Sequence, residues 1–407
     1  MSTTFNLPNF VGELYGLTPT DTPFLSMAGG LTGGESVDAT IFPWTTYDLR
    51  SVSELSNLEG ADAPTASARV RGTAFNTLSI IHETIYTSYT KQAAVGQYDA
   101  TGSAHTYADG VNGGNRVLNE HNWQTMQMIK QIARDVDYTF LMGTLQEPSD
   151  NNTARQTRGI VEACSTNAID ESTQTETNTT GEADDEIFTE VAHGLLTGDQ
   201  IRITSITGGT GIGLVAGDCA YVEKIGADTF YLTTSRTGAT AGRYSFTTDV
   251  SDLDWVQLTE PTYLMVMDLM QDIWDQGGIQ EDETRTIFVN SGLKRYLTKI
   301  LITDQGYSEQ SRNVGGVNVT SFETDFGRCN IALERHLRKD VLLVASMEQV
   351  TPVHLLIPEK GFLFIEELGK AGAAFKHQIY GETGLKYGNE QTHGVLTGLH
   401  AFYNPAA

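Results

Sequence analysis

Several short strings in this chain have the residue types of catalytic or ligand-binding sites. Gly211-Ile212-Gly213-Leu214-Val215-Ala216 matches the glycine spacing that cradles a dinucleotide pyrophosphate, with Ala in the last place. That chemistry needs a helix opening on the glycines, so that its first N–H groups hold the phosphates. Gly217-Asp218 stops any such helix at once, and the string reads as a β-turn. His82-Glu83 begins the pattern in which two histidines one helical turn apart bind zinc, but Tyr86 stands where the second is required. Glu182, Asp184, Asp185 and Glu186 supply the oxygens calcium prefers, without the alternation and turn glycine of an EF-hand loop, and read as a solvated acidic run. No Lys follows Gly at phosphate-loop spacing and no Ser sits in a G-x-S-x-G elbow. His377 and His393 read as ordinary strand or interface residues. Cys164, Cys219 and Cys329 are odd in number and far apart, which suits buried thiols rather than a disulfide framework or a metal knuckle. The expectation is a chain with no catalytic, cofactor or metal site, and not an enzyme.

Composition narrows the partners. Fifty-one acidic residues face 26 Lys plus Arg, a formal net charge of -25. Such a surface repels phosphate, and with Arg50 as the first basic residue there is no basic N-terminal arm to neutralise nucleic acid. So much acid also serves solubility. Hydrophobic residues at 39% suit a folded chain, and its 407 residues leave room for two or three folding units. No stretch approaches the ~18 to 20 apolar residues that span a bilayer, and Met1 to Phe10 lacks the basic and apolar regions of a secretory signal. The expected place of synthesis is the cytoplasm, with no membrane partner.

The elements that would position any site follow from periodicity. Residues 1–48 scatter Phe5, Phe10, Tyr15, Phe24, Phe42 and Trp44 without helical or strand period, so these rings must be buried against another domain or another subunit. Strand-like segments at 39–47 and 74–89 flank the polar stretch 49–70, predicting a long hairpin with a tip too polar to pack on its own core. Leu118, Met126, Ile129, Ala133, Val136 and Phe140 recur mostly at steps of three and four, predicting a helix over 115–143 that stops at Gly143. The run of Ser, Thr, Gln, Asn, Asp and Glu at 171–186 reads as a linker. Short alternating segments at 187–192, 200–206, 219–224, 229–233 and 243–247 predict a small antiparallel β-domain. Beyond Pro261 come a helix ending at Gly277-Gly278, a strand at 285–289, a helix at 293–301 and strands at 329–332 and 341–345.

Particular strings then resemble a known family. Glu59-Gly60-Ala61-Asp62-Ala63-Pro64, the helix end Arg134-Asp135-Val136-Asp137-Tyr138-Thr139-Phe140-Leu141-Met142-Gly143, and Arg155-Gln156-Thr157-Arg158-Gly159-Ile160 are similar to major capsid proteins of tailed phages with the Hong Kong 97-type fold. Thr324-Asp325-Phe326-Gly327, Leu368-Gly369-Lys370-Ala371-Gly372, Gly381-Glu382-Thr383-Gly384-Leu385 and Asn389-Glu390-Gln391-Thr392-His393-Gly394 continue the resemblance in the family's order.

The resemblance implies an α+β capsid fold with an N-terminal arm at 1–48, an E-loop at 49–92 and a P-domain at 93–170 carrying a spine helix at 115–143. An A-domain at 257–368 and a return to the P-domain at 369–407 complete it, and the linker and inserted β-domain at 171–256 depart from the family's usual chain. It implies a major capsid protein that assembles through hexamers and pentamers into an icosahedral shell around viral double-stranded DNA, enclosed without sequence-specific binding. A portal and a separate scaffolding protein would be partners, and assembly would occur in the host bacterial cytoplasm. Arg69, Arg71, Glu59 and Asp62 are the expected intersubunit ion-pair residues, with Phe5, Phe10 and Trp44 burying against a neighbour. The central loop region 49–92 contains a single Lys, Lys91 near its base, which argues against covalent cross-linking. The alternatives are a nanocompartment shell around cargo enzymes and a phage tail or surface-binding protein whose β-module recognises carbohydrate.

Overall fold

The structure is a computed structural model and describes residues 19–47, 49, 52, 54, 58–60, 62, 71–90, 120–148, 150, 152–238, 242–279, 285–300, 321–324, 326–369 and 372–403. Phe5, Phe10, Arg69, Lys91 and the first five positions of the predicted 115–143 helix lie outside these residues.

The chain opens with helix α1 (Pro23–Ala28), started by Pro at its first turn, and strand β1 (Glu35–Val37). Strands β2 (Ile41–Tyr47) and β3 (Arg71–Thr77) pair antiparallel from Ile41↔Thr77 to Tyr47↔Arg71, which is the expected hairpin. Strand β4 (Ser79–Ser88) leads toward helix α2 (Glu120–Met142). Of the expected apolar stripe on α2, Val136 and Phe140 are buried; Ile132 and Leu141 join them, whereas Met126 is exposed. Helix α2 ends where Gly143 meets Gly159. A Cβ on Gly159 would lie 2.6 Å from Gly143 N, so two bare backbones are needed for helix α3 (Ile160–Ala163) to sit against the end of α2.

After β5 (Ala168–Asp170) the chain builds a closed six-stranded barrel in the order β10-β7-β6-β11-β8-β9. Its strands are β6 (Gln174–Glu182), β7 (Ile187–Thr189), β8 (Gln200–Gly208), β9 (Cys219–Lys224), β10 (Thr229–Thr233) and β11 (Val250–Gln257). The predicted linker is therefore a barrel strand. β6 turns Thr179 and Gly181 inward, and the space is filled by Trp255 and Val250 of the neighbouring strand β11 and Phe188 of the neighbouring strand β7. A strand with small inward residues shows no hydrophobic alternation, which is why its polar run looked like a linker. Thr179 Oγ1 accepts the Trp255 Nε1–H at 2.9 Å and donates to Glu190 Oε2 at 2.8 Å. The expected strand at 243–247 is reduced to one bridge, Thr233↔Arg243, and β11 closes the barrel in its place. The string 211–216 sits between β8 and β9 with Gly211 and Gly213 at positive φ and forms no helix.

The remainder is mixed. Helix α4 (Tyr263–Asp275) is capped by Thr262, whose hydroxyl accepts the Met265 N–H. Strand β12 (Arg285–Val289), helix α5 (Ser291–Lys299), β13 (Ser321–Thr324), β14 (Gly327–Leu333) and β15 (Leu342–Ser346) follow, then β16 (Thr351–Leu355), β17 (Leu363–Glu367), β18 (Ala374–Lys386) and β19 (Gly394–Thr397). They make two sheets. One runs β1-β16-β18-β17 with β4 also on β18; the other runs β13-β14-β12-β15-β19-β5. α4 and α5 cover one face of the second sheet. The largest core joins both sheets through α1 and α2, where Phe24, Phe140, Ile132, Phe288, Leu343 and Ile379 meet. Phe24 and Phe42 of the arm are thus buried within this chain.

Thr179→Val keeps the volume of the side chain but leaves the buried Trp255 N–H without an acceptor. Chemical denaturation is expected to show a loss of about 1–3 kcal/mol, with the barrel's transition moved and that of the two-sheet body in place.

Candidate assembly surfaces

The base of the β2–β3 hairpin is saturated by bonds within the chain. Asn76, fully buried, gives its Nδ2 hydrogens to Arg158 O (3.0 Å) and Leu385 O (2.7 Å) and accepts the N–H groups of Arg158 and Thr77 on Oδ1, both at 2.8 Å. Thr77 donates to Gln156 O at 2.6 Å. Trp44, half-buried, donates from Nε1 to Gly388 O at 2.7 Å, stands edge-on to Tyr387 at 4.9 Å and stacks near Phe42. Every polar atom of the Asn76 amide has a partner, so the base is a rigid foot.

Farther out, the described apolar residues of the hairpin are exposed. Tyr47, Leu49, Val52 and Leu58 are 78%, 68%, 99% and 84% exposed. Arg71 faces Tyr47 across the ladder and is exposed, and Glu59 and Asp62 are exposed on the loop. Of the expected contact residues the structure brings Arg71 and Trp44 onto one hairpin, with Trp44 near the foot and Arg71 at the outer end.

The barrel is joined to the body by a compact polar seam. Asp340, fully buried, holds Arg338 Nε at 2.6 Å and lies 2.9 Å from Arg202 Nε of β8. Gln200 and Phe402 exchange hydrogen bonds at 2.7 and 2.9 Å, and Tyr221 stacks on Phe402. Cys219, Val256, Leu258 and Ala401 close a small apolar cluster beside it. Burial pushes the Cys219 thiol up to about 12, and the Cys164 thiol higher still, so neither is a nucleophile near neutral pH.

The three histidines the sequence singled out, His82, His377 and His393, lie on or beside strands. His82 lies on strand β4, bonded to Gln378, where residues four apart cannot share a helix face. His393 is fully buried; its Nδ1 accepts the Ser346 N–H and its Nε2–H donates to Tyr387 O, which fixes a neutral tautomer, and burial lowers its pKa. His377 lies on β18 with its ring 4.3 Å from that of His121.

Sequence reasoning missed one cluster. Asp137 of α2 and Glu334 are buried, and with His336 their ligand atoms lie within 4.8 Å of one another. His336 Nδ1 is 2.7 Å from Asp137 Oδ2 and 3.5 Å from Glu334 Oε1, and the His336 N–H donates to Glu334 at 3.0 Å. The same two carboxylates accept the first N–H groups of α1, Phe24 to Glu334 at 3.2 Å and Leu25 to Asp137 at 2.8 Å. A signal existed: Asp137 falls four residues after Ala133 and three before Phe140, inside the apolar stripe, where a charge must find partners.

A family model described as SU10 major capsid protein matches residues 1–210 and 224–400. The match passes through the barrel apart from 211–223, where the sequence reading expected the whole β-domain to depart from the family. No curated protein matches the chain. Among solved structures, the capsid of cyanophage A-1(L) is similar at a TM-score of 0.52 and 8% identity, with 97% of each chain covered. The capsid of cyanophage P-SCSP1u gives 0.47 and 12%, over 97% of this chain and 93% of that one. The SrpI encapsulin complex of Synechococcus elongatus PCC 7942 gives 0.46 and 9%, over 98% and 94%. The likeness at 0.52 shows the Hong Kong 97-type capsid fold.

Asp340→Ala would leave Arg202 and Arg338 side by side with no counter-ion. The expected cost is about 3 kcal/mol, the low end for a buried pair because both guanidiniums keep some contact with water. Denaturation together with limited proteolysis, read as release of the 171–257 segment, checks it.

Proposed function

The chain belongs to the SU10 major capsid protein family and so forms a viral capsid shell, and from that premise we propose how its surfaces build one. Subunits join into rings of six and five, and each β2–β3 hairpin lies over a neighbouring copy. The observation that supports this is the contrast along the hairpin: a foot with its polar groups satisfied at home, and an outer part whose described apolar residues Tyr47, Leu49, Val52 and Leu58 are exposed. Apolar groups that one chain cannot bury are stabilised when a second chain covers them, by about 1.5–3 kcal/mol for each large side chain fully covered. Arg71, Arg69, Glu59 and Asp62 then form ion pairs between copies, while Phe5, Phe10 and the exposed part of Trp44 pack on the neighbour.

The interior holds double-stranded DNA without binding its sequence, in keeping with a net charge of -25. A portal and a separate scaffolding protein are the further partners, and assembly takes place in the host bacterial cytoplasm. The chain performs no catalysis in this reading; its buried thiols and neutral His393 are packing groups.

Sedimentation and negative-stain microscopy of the full chain test the proposal. Shells, or rings of about 266 kDa from six copies of the 44.3 kDa chain, are expected; persistent monomers would overturn it. Arg71→Glu is expected to raise the concentration needed for assembly about fivefold, the size of an exposed ion pair. Val52→Asp should raise it by about tenfold or more, with the stability of the single subunit unchanged.

A further inference from the structure

The cluster of Asp137, Glu334 and His336 holds the first turn of α1 against α2. Two carboxylates that share a buried site cannot both stay ionised without cost. Asp137 and Glu334 are both almost completely buried, and the His336 ring lies within 3.5 Å of each.

We propose that Asp137, Glu334 and His336 form a proton-operated latch, which grips α1 when the two carboxylates share a proton and loosens when both are ionised. The proposal concerns contacts inside one subunit and stands apart from how subunits associate.

The groups facing Glu334 can be named element by element. α2 brings Asp137. The turn after β14 brings Arg335 and His336, and Arg335 is drawn away to Asp21, the residue two before the first of α1, at 2.8 Å. α1 itself, Pro-Phe-Leu-Ser-Met-Ala, brings backbone N–H groups and no ionisable side chain. From β12 the neighbour is Phe288, with its ring 5.3 Å from that of Phe24, while Arg285 at the other end of that strand donates to Phe326 O.

Burial first, and Asp137 second, push the Glu334 carboxyl up to about 7; the N–H groups of His336 and Phe24 and the His336 charge act against them. When α1 leaves, water reaches the cluster and Glu334 returns toward its ordinary 4.5. Docking of α1 therefore takes up a proton between these two values. The grip is full below about 4.5, is lost as pH rises toward 7, and stays at its weaker level above 7.

A spin label reads the latch directly. Met27 of α1 is 51% exposed, and the three native cysteines are buried, so Met27→Cys is labelled selectively in the full chain. The ratio of mobile to immobile label is expected to rise by up to roughly tenfold per pH unit between about pH 5 and 7 and to level off above. In Glu334→Gln most of that rise should disappear. A label equally mobile across the range, or a rise of the same size in Glu334→Gln, would overturn the proposal. If Glu334→Gln does not fold, Asp137→Asn decides the matter. Removing the neighbouring negative charge must move the midpoint to lower pH, and an unmoved midpoint sinks the latch.

Discussion

Helix α2 packs, with α1, into the core that both sheets of the body share. Its buried stripe of Ile132, Val136, Phe140 and Leu141 meets Ile85, Ile379 and Leu385 of one sheet and Phe288, Leu343 and Val395 of the other. Neither sheet could bury that face without the helix. Because α2 is clamped along its C-terminal half, the chain beyond it must turn back tightly, and the Gly143–Gly159 contact allows the turn. The stretch that follows, Arg155 to Arg158, then supplies backbone groups to the hairpin foot through Asn76 and Thr77. The helix thus determines where the hairpin stands and in which direction it leaves the body.

The apolar stripe carries one ionisable residue, Asp137, and its burial constrains what lies above it. A buried carboxylate has to be hydrogen-bonded, and here the donors are the Leu25 N–H and His336. Docking α1 satisfies the acid and buries Phe24 in the same step. Polar satisfaction and hydrophobic burial are coupled at this point, so a change in the charge of the cluster reaches the packing of the arm.

The barrel illustrates a different economy of packing. Its wide side chains, Trp255, Phe188, Phe230 and Phe246, come from four positions, and β6, paired with the strands of Trp255 and Phe188, buries only Thr179 and Gly181. It meets the body at a seam built around one buried carboxylate, Asp340, and two arginines. In this chain the seam and the hairpin foot are the rigid parts, and the outer hairpin is the uncovered one.

Local pattern alone determined the hairpin, most of α2, the helix begun near Pro261, and strands such as Arg285–Val289, because each has the period of its own element and a turn or cap at its ends. The ordered strings resembling a capsid family likewise lay open in the sequence, and the acidic balance could be counted. Tertiary structure decided the rest. β6 is a strand because β11 and β7 offer its backbone partners and fill the space that its small residues leave, and neither condition is written within 174–182. Met126 keeps the helical spacing yet lies outside the buried face, since burial depends on where the sheets end rather than on period. Glu334 carries no local sign of its role. Its chemistry comes from Asp137, almost two hundred residues away in the chain, and from the loss of water around both, which only the folded arrangement imposes.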